Sequence, residues 1–236
     1  MDTPSPSAAE PSMRRSAMGL LALVLLVPVL LFATAGTLAW PMAWAYVALS
    51  TAGTGAAYFI VARLSPDTLR ERARGFNAEG VQPWDRLLLP LVIWSSVLML
   101  VVAGLDHRMG WSSLGSVGWR AVAFVPAAAG YALTSWGMAE NRFFSGTVRI
   151  QTDRGHTVVS SGPYRLVRHP GYAGSVLATV CVPVILGSWW AFVPAGVAIT
   201  ALVIRTSLED RMLREELDGY QAFAERTRWR LIPRIW

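Results

Sequence analysis

Two stretches of the 236-residue sequence carry the side chains able to do chemistry. The first runs His156-Thr157-Val158-Val159-Ser160-Ser161-Gly162-Pro163-Tyr164-Arg165-Leu166-Val167-Arg168-His169-Pro170-Gly171-Tyr172. Gly162-Pro163 signals a turn. Pro170 disfavours helix at His169 and suits the first turn of a helix that follows. His169 and Tyr172 are therefore expected where a loop enters a helix. Unpaired N–H groups and the positive dipole end there suit a carboxylate. A plainer reading makes Arg165, Arg168 and His169 interfacial anchors facing lipid headgroups.

The second stretch, Arg205-Thr206-Ser207-Leu208-Glu209-Asp210-Arg211-Met212-Leu213, follows an apolar run directly. Arg205 and Glu209 are four apart and share a helix face. A solvated salt bridge would explain them, but they emerge at the same surface as the first stretch. Leu213, Leu217 and Tyr220 form a stripe at i, i+4, i+7, which predicts an interfacial amphipathic helix with Glu215 and Glu216 on its solvated face. The ending Arg228-Trp229-Arg230-Leu231-Ile232-Pro233-Arg234-Ile235-Trp236 mixes Arg with Trp, as a leaflet anchor does.

The elements that must position these residues are apolar. Hydrophobic residues make up 53% of the chain, charged residues 15%, and mean hydropathy is +0.40. That excludes a disordered chain and opposes a soluble globular enzyme. Apolar runs are expected as spans at Met18 to Leu38, Ala43 to Ala62, Leu87 to Leu105 and Trp119 to Ala139. Two shorter runs, Tyr172 to Leu186 and Trp190 to Ile204, are expected as a helical hairpin around Gly187-Ser188. A signal peptide is disfavoured for the first run, which exceeds the usual 7–15-residue core and is followed by more spans. The expected fold is an all-α, polytopic membrane helix bundle of five to six transmembrane helices, with a C-terminal hairpin and an amphipathic tail helix. The expected division is a disordered cytoplasmic tail (1–17), a four-helix membrane region (18–139) and a catalytic region (140–236).

All 21 basic residues are Arg, and the net charge is +6. With the N-terminus inside and six crossings, 19 of the 21 fall in inner segments. This is the positive-inside pattern, and it places both termini and the polar segments in the cytoplasm, as in a bacterial inner membrane. The Arg residues lie between apolar runs rather than on one basic face, so nucleic acid is not an expected partner. The single Cys181 and three scattered His give no disulfide, redox motif or metal site.

The ordered set Gly162-Pro163-Tyr164, Arg168-His169-Pro170-x-Tyr172-x-Gly174, an apolar hairpin, Glu209-Asp210-x-x-Leu213 and Arg230-Leu231-Ile232-Pro233 resembles isoprenylcysteine carboxyl methyltransferases and related phospholipid methyltransferases. The resemblance covers about residues 135–236. It implies S-adenosyl-L-methionine as cofactor, bound without a dinucleotide fold, and a lipophilic or prenylated acceptor. Carried over by position, the cofactor site would use His156, Thr157, Val158, Val159, Tyr164, His169, Pro170, Gly171 and Tyr172, with Glu209 closing it. Gln151 matches a family glutamine if the loop is shorter here. Arg205 matches the substrate-side arginine, and with Glu209 would be catalytic. Asp210 stands where the family usually has a second Glu, keeping the charge with a shorter reach.

A carboxylate acceptor needs alignment more than acid–base help, and the Arg205 fork would orient it. A thiol or amine, as in an S- or N-methyltransferase of a small thiol or phospholipid amine, would need a base, with Glu209 or His169 available. Sterol and steroid reductases that use NADPH carry a similar C-terminus with Arg-His-Pro-Asn-Tyr-x-Gly-Glu. Gly171 and Ser175 replace the Asn and Glu of that pattern, which weighs against a reductase. A transporter or scaffold would need polar groups within the spans, and the first three show almost none.

Overall fold

A computed structural model describes residues 13–236, and among these the regular structure is helical. The helices are α1 (Met13–Ala35), α2 (Pro41–Leu64), α3 (Pro66–Arg74), α4 (Asp85–Met109), α5 (Val117–Val122), α6 (Phe124–Glu140), α7 (Pro170–Leu186), α8 (Phe192–Glu216) and α9 (Tyr220–Arg226). Of the expected tail, residues 1–12 lie outside the described residues, and α1 already begins at Met13. Among the described residues five segments are long and apolar enough to cross a membrane: Met18–Ala35, α2, α4, α5 with α6, and α8. Helix α7 is apolar but has 17 residues, a rise of about 25 Å against roughly 30 Å of hydrocarbon.

Local chemistry sets the helix ends. Pro41, Pro66 and Pro170 open α2, α3 and α7, where the missing N–H is harmless. Gly110 and Gly187 end α4 and α7 with φ of +64° and +77°, a conformation that other residues resist. The expected fourth span breaks at Ala123 into α5 and α6. Pro126 explains the break, because it lacks an N–H and its ring crowds the carbonyl of Val122.

The bundle pairs α6 with α7, α4 with α8, α1 with α4, and α2 with α6. The α6–α7 seam is the tightest and is built on glycine. A Cβ on Gly130 would come within 2.6 Å of the Gly174 carbonyl oxygen, and one on Gly137 within 3.3 Å of Pro170. Small residues let two backbones approach where a bilayer gives helices no hydrophobic reason to associate. The main apolar core joins Leu31, Ala43, Tyr46, Ala103, Ala127, Cys181 and Ile185 across five helices. Large apolar side chains such as Leu25, Phe59, Trp94, Val125 and Val193 stay exposed. That surface suits lipid rather than water.

Two further elements depart from the sequence expectation. Helix α3 was hidden in the polar Arg-rich segment 63–86; it buries Thr68, Leu69 and Glu71 against the bundle end. The stripe Leu213, Leu217, Tyr220 does not lie on one helix. Chain direction changes at Gly219, whose φ is +80°, and Leu217 is extended. All three side chains are nonetheless buried together with Val148, Tyr164 and Phe223. The tail therefore folds over the Arg-rich end of the bundle, because that end offers an apolar face to cover.

Candidate active site

The loop between α6 and α7 is irregular, so its backbone groups need partners. Asp85, at the start of α4 and fully buried, supplies one: its Oδ2 accepts the N–H of Val148 at 2.8 Å. Gln82 N–H donates to the Val148 carbonyl at 2.9 Å. Glu71 on α3 accepts from Arg149 Nε at 2.7 Å, and Arg149 Nη1 also donates to Asp153 at 2.8 Å. Gln151 is buried, donating through Nε2 to the Phe143 carbonyl at 2.6 Å and accepting from Arg154. Its backbone N–H donates to His156 Nδ1 at 3.3 Å, with the His156 ring 4.6 Å from that of Phe143. Burial, with Arg149 and Arg154 nearby, pushes His156 down to about 4. The imidazole is uncharged near neutral pH, as an accepting Nδ1 requires.

The end of α8 supplies two carboxylates with different surroundings. Asp210, fully buried, is a hub. Arg168 donates to both its oxygens, from Nε at 2.6 Å and Nη2 at 3.1 Å. Arg230, Arg214 and the Tyr220 hydroxyl donate at 3.0, 3.1 and 3.0 Å, and His169 Nε2 lies 3.3 Å away. Arg168 Nη1 also donates to the carbonyls of Thr227 and Arg228 at 2.8 and 2.7 Å. The His169 N–H donates to the Arg230 carbonyl at 3.0 Å. The carboxylate thus ties the Arg168-His169 corner to the C-terminal tail. Glu209 has one neutral partner, the Tyr172 hydroxyl, which donates to Oε2 at 2.5 Å.

Arg205 and Glu209 share a face but do not pair. Arg205 donates from Nε and Nη2 to the two oxygens of Asp85 at 2.6 and 3.1 Å, and from Nη2 to the Gly146 carbonyl at 2.8 Å. Its guanidinium carbon lies 5.3 Å from the centre of the Tyr172 ring. The planar fork is thus taken by a protein carboxylate.

These elements enclose a narrow crevice of about 100 Å³ at the Arg-rich end of the bundle. Gln151, His156, Thr157, Val158, Val159, Tyr164, His169, Gly171, Tyr172 and Glu209 all line it. Of the cofactor and catalytic residues carried over from the resemblance, Pro170 and Arg205 lie outside its lining: Pro170 opens α7, and Arg205 stands behind Tyr172. Sequence reasoning missed Phe143, Phe144, Asn141, Arg149, Phe223 and the supporting Asp85. The Tyr164 hydroxyl accepts from Asn141 Nδ2 at 3.2 Å and donates to the Gly137 carbonyl at 3.3 Å. Burial raises the Tyr164 and Tyr220 hydroxyls above their ordinary value, so both stay neutral donors. Gly171 is explained by contact: a Cβ there would come 2.5 Å from the Phe144 ring, leaving no room for the Asn of the reductase pattern.

The lining combines a carboxylate acceptor with aromatic walls. Glu209 offers an acceptor for hydroxyls or an ammonium, and the rings of Phe143, Tyr164, Tyr220 and Phe223 offer flat apolar walls. At about 100 Å³ the crevice is smaller than the roughly 300–1,000 Å³ of small-molecule sites, so a ligand of that size must part its walls. No curated protein matches the chain. Residues 121–216, from α5 to the end of α8, match the family described as "Isoprenylcysteine carboxyl methyltransferase (ICMT) family". The matched segment contains the start of α7 and Glu209.

Proposed function

We propose that the chain is a membrane methyltransferase that binds S-adenosylmethionine in this crevice and methylates a lipophilic acceptor, a carboxylate of the isoprenylcysteine type. The observation that carries the reading is convergence. Two separate parts of the sequence, residues 141–172 and 209–223, line one crevice, inside or beside the family-matched segment. When bound, the cofactor supplies a methyl group on a positively charged sulfur, which a carboxylate can accept without a base.

This chain's own residues then have separate tasks. Glu209, held by Tyr172, accepts hydrogen bonds from the cofactor's hydroxyls or ammonium. The backbone and side chains of His156 to Val159 and the aromatic walls exclude water around it. His169, beside Asp210 and Tyr220, fixes the loop-to-helix corner. Arg205 holds the 146–148 backbone through Asp85 and Gly146 and places positive charge behind Tyr172, on the side an anionic acceptor would approach. The Arg distribution supports an orientation with this end of the bundle in the cytoplasm, where the cofactor would be available.

The test is thermal unfolding in detergent. S-adenosylhomocysteine should raise the midpoint and NADPH should not, since only a ligand of the folded state stabilises it. Membranes containing the protein should transfer radiolabelled methyl to an extractable lipid whose ester is cleaved by mild base. Stabilisation by NADPH alone, or label resistant to base, would overturn the carboxylate methyltransferase reading.

A further inference from the structure

A second cavity lies at the same end of the bundle, within the apolar helices. It has a volume of about 430 Å³, inside the range of small-molecule sites. Its walls come from the start of α1 (Gly19), the last turns of α2 (Ala57, Tyr58), α3 (Arg72) and the last turns of α6 (Tyr131, Met138). Apart from Arg72 the wall carries no charge; it is mainly apolar, with the hydroxyls of Thr54, Tyr58, Tyr131, Thr134 and Ser135 among its side chains. Gly53 is part of it and must be glycine, since a Cβ would meet the Tyr131 ring at 2.8 Å.

Arg72 is the polar end of this cavity. It is exposed, and among the described residues no carboxylate pairs with it. Its contacts are a 3.4 Å hydrogen bond to the Ser145 carbonyl and the face of Phe144, with the ring centre 5.7 Å away. Arg205 is different, because Asp85 and Gly146 occupy its fork. Arg72, on α3, is therefore available to an anionic ligand at this cavity.

One wall separates this cavity from the crevice. Phe144 and Ser145 line the crevice and touch Arg72. Thr134, on the cavity side, donates to the carbonyl of Gly171, on the crevice side, at 3.2 Å. A lipid with its chain in the cavity and its head at Arg72 would stand one side chain, Phe144, from the crevice.

We propose that the α1/α2/α3/α6 cavity binds the chain of a single-tailed lipid carboxylate, and that Arg72 binds its head. The lipid's part as methyl acceptor rests on the function proposed above; its binding here does not. The cavity size fits one tail rather than two, and the apolar wall ending in an unpaired guanidinium complements an anionic amphiphile. Residues 19 to 73 lie outside the family-matched segment, so this would be the contribution of the N-terminal helices to specificity.

The test uses the full chain in nanodiscs of zwitterionic phosphatidylcholine. The probes are a 15-carbon isoprenoid thioether carboxylate with a diazirine near the chain end, and the primary alcohol of the same chain. The acid should photolabel α2 and α6 around Ala57 and Met138. Arg72→Gln should weaken the acid about tenfold, leave the alcohol unchanged, and be largely rescued by Arg72→Lys. Gly19→Leu, at a position where a Cβ has open space, should weaken both probes by filling the cavity. Labelling elsewhere, equal acid affinity in Arg72→Gln, or displacement of the acid by added phosphatidylglycerol but not by unlabelled acid would overturn the proposal. The S-adenosylhomocysteine shift, measured on each variant, reports folding and separates the two readings. Its presence with Arg72-independent acid binding sinks this proposal alone. Its absence from wild type, with acid binding as stated, sinks the cofactor reading and supports the cavity assignment.

Discussion

Replacing Asp85 should unsettle the site from a helix that carries no recognisable motif. Asp85 is 0% exposed and Arg205 4%, and the two are joined by bonds of 2.6 and 3.1 Å. Asp85→Ala leaves the guanidinium with the Gly146 carbonyl alone and leaves the Val148 N–H without its acceptor. Breaking a buried pair in this way costs about 3–5 kcal/mol, because the surviving charge stays desolvated. At about 2–4 °C per kcal/mol for a chain of this size, the midpoint should fall by roughly 6–20 °C. Unfolding can be followed by intrinsic fluorescence, since the chain has 11 Trp. Asp85→Leu with Arg205→Met, two apolar side chains in place of the pair, should cost less than either single change. Single changes that each move the midpoint by under about 2 °C, or that add in the double variant, would refute a buried, coupled pair. The same cycle decides how to read Arg205→Lys. Lys cannot reproduce the bidentate bond to Asp85, so lost turnover there reports positioning as well as any grip on substrate. If positioning is all that is lost, Arg205→Lys should have no further effect in the Asp85→Asn background.

Three further outcomes follow from other contacts. Gly174→Ala should destabilise by about 1–3 kcal/mol, because its Cβ would strike the Gly130 carbonyl and neither backbone can yield; Gly55→Ala, in open space on α2, should be neutral or stabilising, and equal effects would refute the glycine seam. His156 is depressed to about 4, so the folded state binds fewer protons than the unfolded one between pH 4 and 6.5; stability present above about 6.5 should decline on acidification, by about 1–2 kcal/mol at pH 5 for a partly exposed ring, and His156→Gln should flatten that slope in a melting series from pH 7.5 to 5. Glu209→Gln should abolish most of the S-adenosylhomocysteine shift while Tyr172→Phe reduces it, since the phenol only holds the carboxylate in place; an undiminished shift in Glu209→Gln would remove Glu209 from the cofactor site.

How much of this could be read from residues alone follows the range of each interaction. Spans, hairpin and loop-to-helix corner depend on runs of neighbours and on proline, and most fall within a few residues of the expected places; α8 instead runs twelve residues past Ile204 to Glu216, and the fourth span breaks at Ala123. The part of the crevice lining that was expected clusters in 156–172 and at 209, short segments, whereas the walls at 141–149 and Phe223 carried no motif. Helix α3 was hidden because its apolar side is one turn wide, and its anchors, Thr68 to the Arg142 carbonyl and Glu71 to Arg149, join residues 74 and 78 apart. The stripe 213–220 shows that period alone is not a helix: Gly219 breaks the run, yet burial keeps the three side chains together. The Asp85–Arg205 pair spans 120 positions, and no local pattern could join them. There was one usable signal, a lone carboxylate at the start of an apolar run, where an unpaired charge is expensive and a partner must exist. Seeking a distant cation for such a carboxylate would have drawn Arg205 away from a free role at the substrate. It would also have directed attention to the cations left over, among them Arg72 on the wall of a cavity.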